Sequence, residues 1–233
     1  MKNLIKPSLF VIFILFSSNL WSQDCKMYFP SKEGTTIVYT NYNKKGKASK
    51  WAIYYEVVKV YDSAGYRVEK IRNWGQNKKR KSSPITFSVL CKGDNFLIDT
   101  KSYLDIKKLD AYKNMEIEFE GENINIPVHP VVGQKLKDGY INYKVHNNNF
   151  TLANMTVKIT NRKVEALEKV STPAGNFDTV KISFDLEIKA MGVTFKYKGV
   201  EWYAKNTGMV KRETWNKKGK LLSYSEITKI LKN

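Results

Sequence analysis

Apolar and polar residues alternate at a period of two along several stretches, most clearly at Ile182, Phe184, Leu186 and Ile188, which interleave with Ser183, Asp185, Glu187 and Lys189. Successive side chains of a strand point to opposite faces, so this spacing predicts a half-buried strand. Met115, Ile117 and Phe119 alternate with Glu116, Glu118 and Glu120 in the same way, and Met155, Val157 and Ile159 with Thr156, Lys158 and Thr160. Val193, Phe195 and Tyr197 repeat the pattern, with Thr194, Lys196 and Lys198 expected outward. Trp51, Ile53, Tyr55 and Val57 lead a longer apolar run to Val60, and Trp51 and Trp202 are expected buried within their runs.

Turn compositions separate these runs: Asp62-Ser63-Ala64-Gly65, Lys92-Gly93-Asp94-Asn95 and Thr172-Pro173-Ala174-Gly175-Asn176. Gly, Pro, Asn and Asp at such positions suit tight bends, and strands joined by short bends pair antiparallel. Between Ser102 and Tyr112, Leu104, Ile106, Leu109 and Tyr112 loosely fit a helical period. The expected fold is mainly β and antiparallel, with at most one short helix near 102–112. An internal echo, Tyr42-Asn43-Lys44-Lys45-Gly46-Lys47 and Trp215-Asn216-Lys217-Lys218-Gly219-Lys220, predicts the same hairpin twice, by duplication of a half or by recurrence of a common tip.

The N-terminus follows another pattern. Lys2 and Lys6 precede an apolar run from Leu9 to Phe16, which gives way to Ser17, Ser18 and Asn19. That order is a signal peptide's, and the run is far shorter than the roughly 20 residues of a membrane-spanning helix. Residues 1–23 are therefore expected to be a signal removed near Ser22 or Gln23, and 24–233 one β domain without a transmembrane anchor, periplasmic or secreted. Asp24, directly before Cys25, argues against lipidation, which wants a small residue there.

Export changes the meaning of the two cysteines, because an oxidising compartment pairs thiols. Cys25 and Cys91 are expected to form a disulfide, closing a loop whose entropy cost corresponds to roughly 4 kcal/mol. Two buried free thiols are the alternative. With the signal gone, 38 basic residues face 22 acidic ones, a net charge of +16. Such a surface favours a lipid or another anionic envelope component, with nucleic acid not expected as a partner, and it equally serves plain solubility. The densest cluster, Lys78, Lys79, Arg80 and Lys81, has loop composition around it and is expected to be a mobile hairpin tip.

Catalytic patterns are missing from the sequence. No nucleophile elbow, phosphate-binding glycine loop, zinc spacing or calcium loop occurs, and His129 and His146 both sit in apparent loops. The expectation is a non-enzyme with no cofactor and no metal, a hydrolase with carboxylates from distant strands being the residual exception. Glu116, Glu118 and Glu120 could gather a cation, but a charged outer face answering lysines on the next strand is preferred. Trp74, beside Asn73, Gly75 and Gln76, is expected on a loop and, with Tyr55, Phe195 and Tyr197, forms the candidate ligand contacts. Ser63 and Thr179 fall in an acid, hydroxyl, small-apolar pattern that some bacteria O-glycosylate.

From Ile126 onward a series of landmarks appears in order: Pro127, Gly133 to Asp138, Val164 to Glu168 leading to Thr172 to Phe177, Trp202-Tyr203-Ala204, Gly208 to Lys211, and a closing pair across Lys218-Gly219-Lys220. With Cys25, Tyr28-Phe29-Pro30, Gly34, Gly46-Lys47 and Cys91, this resembles the TapB family of uncharacterised exported bacterial proteins, related to a larger domain-of-unknown-function family. The resemblance implies an antiparallel β-roll or curved, partly open β-barrel, supports the Cys25–Cys91 pairing and carries no activity. The expected role is a monomeric binding or carrier module with a concave sheet face for an apolar or amphiphilic ligand. The other role open is a basic-surface protein binding an anionic glycan, lipopolysaccharide or a protein partner.

Overall fold

The computed structural model describes residues 28–148 and 150–232. The expected signal segment, its cleavage point and Cys25 lie outside the described residues. Thirteen strands follow in chain order: β1 (Thr36–Asn43), β2 (Ala48–Ser63), β3 (Tyr66–Gln76), β4 (Ile85–Lys92), β5 (Asn95–Ile98), β6 (Glu116–Glu122), β7 (Ile124–Pro127), β8 (Gly139–Asn147), β9 (Phe150–Thr172), β10 (Gly175–Ala190), β11 (Val193–Ala204), β12 (Gly208–Asn216) and β13 (Leu221–Leu231). They form one antiparallel sheet in the order β6-β8-β9-β10-β11-β12-β13-β1-β2-β3-β4-β5-β7.

The two ends of that order are consecutive in the chain. β6 ends at Glu122 and β7 begins at Ile124, so Asn123 alone joins one sheet edge to the other. A single residue spans under about 4 Å per step, so the sheet must curl until its edges meet. The result is a nearly closed barrel, in keeping with the antiparallel roll or partly open barrel that the family resemblance implies. The strap 133–138 lies along the seam: Gly133 N–H donates to the Val164 carbonyl, Val164 N–H to Gln134 and Leu136 N–H to Arg162. Arg162, only 2% exposed, donates from the β9 side to the Asn125 and Lys137 carbonyls at 2.8 and 2.7 Å. The edge strand β7 is thereby tied without a full ladder, which blunts an edge that would otherwise pair with another chain.

The expected turns are present, and so is the short helix. Ala64 and Gly65 close β2 to β3 with φ of 50° and 76°, the left-handed pair that a two-residue hairpin requires. Between β5 and β6 the chain makes a 3-10 turn (Thr100–Tyr103), a one-turn helix α1 (Ile106–Leu109) and a second 3-10 turn (Asp110–Tyr112), with Asp99 and Asp105 capping the first two. The echo is structural: Asn43 accepts from the backbone of Lys45 and Lys47, and Asn216 from that of Lys218 and Lys220. Because β1 pairs β13, the two hairpins stand side by side, with Tyr42 stacked on Tyr224 at 4.7 Å.

The core fills the barrel with inward aliphatic and aromatic side chains, among them Ile37, Ile71, Phe87, Phe96, Ile126, Ile141, Ile159 and Ile182. Trp51 and Trp202 are buried, as expected. Several expectations are corrected. Trp74 lies within β3, not on a loop, and is buried with its ring stacked on Tyr54. Val193 and Phe195 are exposed despite their alternation, because β12 first meets β11 at Tyr197 and nothing covers the hairpin beyond. His146 belongs to β8, its ring near Glu118 at 3.4 Å, while His129 is exposed. The Lys78–Lys81 loop is held in place: Arg80 lies over Trp51 and pairs with Asp110, and Lys81 lies over Trp74.

Candidate functional site

Five adjacent strands turn side chains toward one end of the barrel's concave face. Register sets which ones: Tyr55 faces Asn73 across β2 and β3, Tyr39 faces Ile53 across β1 and β2, and Arg212 faces Ser225 across β12 and β13. The segment Ser102–Ile106 crosses over them, and together they surround a pocket of about 280 Å3. Its apolar wall is Ile53, Leu104, Ile106 and Met209, and its polar wall is Tyr39, Asn73, Tyr103 and Arg212.

A partly buried ion pair organises the polar wall. Glu201 stands directly opposite Arg212 on β11, with the guanidinium Nε 2.5 Å from its Oε1. The other carboxylate oxygen accepts from the Tyr103 hydroxyl at 2.7 Å and the Tyr203 hydroxyl at 2.8 Å. Arg212 also lies over the Tyr103 ring, 4.7 Å from its centroid. Burial works against the guanidinium's charge, but Glu201, then Tyr103 and Tyr203, offset it and hold the Arg212 pKa above its ordinary value. Tyr103 and Tyr203 are themselves pushed up, by desolvation first and then by the Glu201 charge, so both stay protonated donors. The cluster balances one negative charge against one positive.

Two groups at this site lack partners. The Tyr39 hydroxyl and Asn73 Oδ1 are buried without a hydrogen bond, although both residues line the pocket. An unmet buried polar group costs about 1–3 kcal/mol, and most such groups in folded proteins are satisfied. Elsewhere, Glu69 on β3 is fully buried with both carboxylate oxygens unpaired.

The four aromatics singled out from the sequence do not come together. Tyr55 lines this pocket, Trp74 is on the outer face under Lys81, Phe195 is at the exposed β10–β11 tip, and Tyr197 lines a separate outer depression with Asp185, Lys196 and Lys217. Ser63 is exposed at the end of β2, whereas Thr179 is buried and donates to the Glu168 carbonyl at 2.7 Å. Along β6, Glu118 is opposite Lys144 and Glu122 pairs with Lys137. Sequence reasoning missed Glu201, Arg212, Tyr39 and Asn73. Glu201 did leave a signal: a lone acid in an otherwise apolar run, in phase with the inward Gly199 and Tyr203.

Two solved structures share this fold. One is a "putative exported protein with YmcC-like fold" from Bacteroides fragilis, with TM-score 0.76, 24% identity and coverage of 89% of this chain and 100% of that one. The other is a "putative lipoprotein" from Parabacteroides distasonis, with TM-score 0.76, 23% identity and coverage of 90% and 100%. No curated protein matches the chain. Residues 32–227 match the DUF3108-like family, and the chain belongs to it. No helix among the described residues is long and apolar enough to cross a membrane.

Proposed function

We propose that the chain is an exported, non-enzymatic binding module that holds a small amphiphilic ligand in the concave pocket between Tyr39, Asn73, Tyr103 and Arg212. The observation that carries this reading is the pair of unpartnered groups, the Tyr39 hydroxyl and Asn73 Oδ1, buried at a pocket that also has an apolar wall. A head group with hydroxyl or amide functions meets both, donating to Asn73 Oδ1, while an apolar portion lies on Ile53, Leu104 and Met209. Because Glu201 already balances Arg212, the site favours a dipolar, uncharged head group over an anion. The volume, about 280 Å3, lies at the small end of ligand pockets and suits a head group with a short apolar stem, not a whole lipid.

Export rests on the charged, apolar, polar order of residues 2–19, and the names of the two similar structures accord with it. Within the DUF3108-like family, the ordered landmarks from Ile126 to Lys220 support a place beside the TapB proteins.

Native mass spectrometry of protein purified gently from its own envelope, before and after denaturing extraction, tests the reading. The expected result is a reproducible small adduct, removed by extraction and much reduced in an Asn73→Leu variant. A clean mass in the wild type, or an adduct indifferent to Asn73→Leu and to Tyr39→Phe, would overturn it.

A further inference from the structure

The strand registers gather several chain reversals at one end of the barrel. Asn43 lies opposite Ser223, Ala52 opposite Gln76, Ala190 opposite Met155 and Tyr197 opposite Asn216. In an antiparallel sheet these pairings put the β1–β2, β12–β13, β10–β11 and β8–β9 turns and the β3–β4 loop on the same side.

That end differs in chemistry from the other. The turns at 41–50, 77–84, 147–154, 189–197 and 215–221 contain no acid, whereas the opposite turns carry Asp62, Asp94 and Asp138. The acids at this end lie in the crossing segment and the start of β6, where Asp105 pairs with Lys108, Asp110 with Arg80, and Glu116 stands opposite His146. The paired hairpins bring Lys44, Lys45, Lys47, Lys217, Lys218 and Lys220 together, all exposed, and the Lys78–Lys81 run follows on the neighbouring loop. Beyond these lysines project apolar side chains: Phe150 is 75% exposed and Met191 81%, with Leu152, Val193 and Phe195 also exposed. The two apolar tips adjoin, since Leu152 and Ala153 share a groove of about 460 Å3 with Met191 and Gly192.

Large apolar side chains at projecting tips, beside lysine hairpins whose turns hold no acid, match a bilayer surface with negatively charged head groups. Lysines take the phosphates while the apolar tips enter the head-group and acyl boundary, roughly 5–10 Å deep. We propose that this end of the barrel docks on a bilayer rich in anionic phospholipid, through Phe150, Leu152, Met191, Val193 and Phe195 with the two lysine hairpins beside them. Docking would also face the pocket rim at Ser102–Ile106 toward the membrane, because that segment lies at the same end. The docking surface stands on its own residues and holds whether or not the pocket binds a ligand.

Vesicle co-sedimentation of the purified protein tests this, with phosphatidylcholine vesicles with and without phosphatidylglycerol. Sedimentation with the anionic vesicles is expected to fall as salt rises, and by roughly five-fold for each lysine replaced among Lys44, Lys45, Lys217 and Lys218 by Gln. The triple variant Phe150→Ser, Met191→Ser, Phe195→Ser should lose membrane binding while its far-UV circular dichroism stays that of the wild type. A second readout keeps the question open to refutation should the triple variant misfold: the added tryptophan of Met191→Trp should be quenched by brominated acyl chains. Absence of binding to anionic vesicles overturns the proposal. So does binding unchanged in a folded triple variant, or no quenching of M191W, either of which would leave a purely electrostatic patch suited to a soluble polyanion.

Discussion

Glu201 and Arg212 stand directly opposite each other across β11 and β12, inside a barrel whose other inward positions there, Asn73 aside, are mostly apolar or aromatic. The Glu201 side chain is 1% exposed and meets a guanidinium and two phenols, so every oxygen lone pair that matters has a donor. Taking two charges from water costs several kcal/mol each, and their attraction repays this only when the hydrogen bonding is this complete.

Removing one partner should therefore cost far more than removing both. Arg212→Met leaves a buried carboxylate with only phenols to meet it and should destabilise the fold by about 3–5 kcal/mol in urea denaturation. Adding Glu201→Met should recover most of that loss. A double variant no more stable than Arg212→Met would show that the pair does not act as a unit.

Glu69 offers the opposite arrangement, a fully buried carboxyl with no hydrogen-bond partner. Desolvation, weakly opposed by the charge of Arg67, pushes its pKa up to about 8 from 4.5. In the interval between those values the folded chain keeps a proton that the unfolded chain has released. Stability must then fall as pH rises through that interval, by up to about 1.4 kcal/mol per pH unit, and level off above the folded value. Glu69→Gln should flatten the profile and gain most at the alkaline end. Urea midpoints measured from about pH 5 to pH 9 check this, and parallel profiles for wild type and E69Q would refute it.

Much of the sheet was legible because its strands obey local alternation: Ile182 and Phe184 on β10 and Val157 and Ile159 on β9 are buried where period two puts them. Alternation fails at Val193 and Phe195 because it says nothing of whether a neighbouring strand reaches that far. The misplacement of Trp74 has a similar root. Asn73 and Gly75 look like loop residues, yet Asn73 faces the pocket, and Gly75 is small because a Cβ there would come within 1.9 Å of the Trp51 ring. Closure through Asn123 and the meeting of Glu201 with Tyr103 are pairings between distant parts of the chain, which no local pattern encodes. The pocket was illegible for that reason, since its walls come from β1, β2, β3, β12, β13 and the segment Ser102–Ile106.

Gly199 shows the same close packing inside the barrel. The Phe184 ring lies against it across β10 and β11, and a Cβ at position 199 would come within 2.2 Å of that ring. Gly199→Ala should cost about 1–3 kcal/mol by overpacking. In the background of Phe184→Leu the same alanine should cost clearly less, because the smaller side chain vacates the clash. Equal penalties in the two backgrounds, measured by thermal or urea unfolding, would place the strain elsewhere.

Cys91 is buried on β4, 1% exposed and opposite Phe96 and Arg67. Its expected partner, Cys25, would tie the chain ahead of Tyr28 and Phe29, whose rings pack on Phe96 at 5.7 and 6.1 Å. A crosslink there would restrain the segment that carries those two aromatics into the core, and the chain-entropy model gives such a bridge roughly 4 kcal/mol. The intact mass of protein from an oxidising compartment should fall two hydrogens below the reduced chain, and reduction should lower the unfolding temperature. Replacing both cysteines by alanine should lower it by a similar amount and abolish the response to reductant. A mass equal to that of the reduced chain would instead mean two buried thiols, and reductant would then leave the transition where it was.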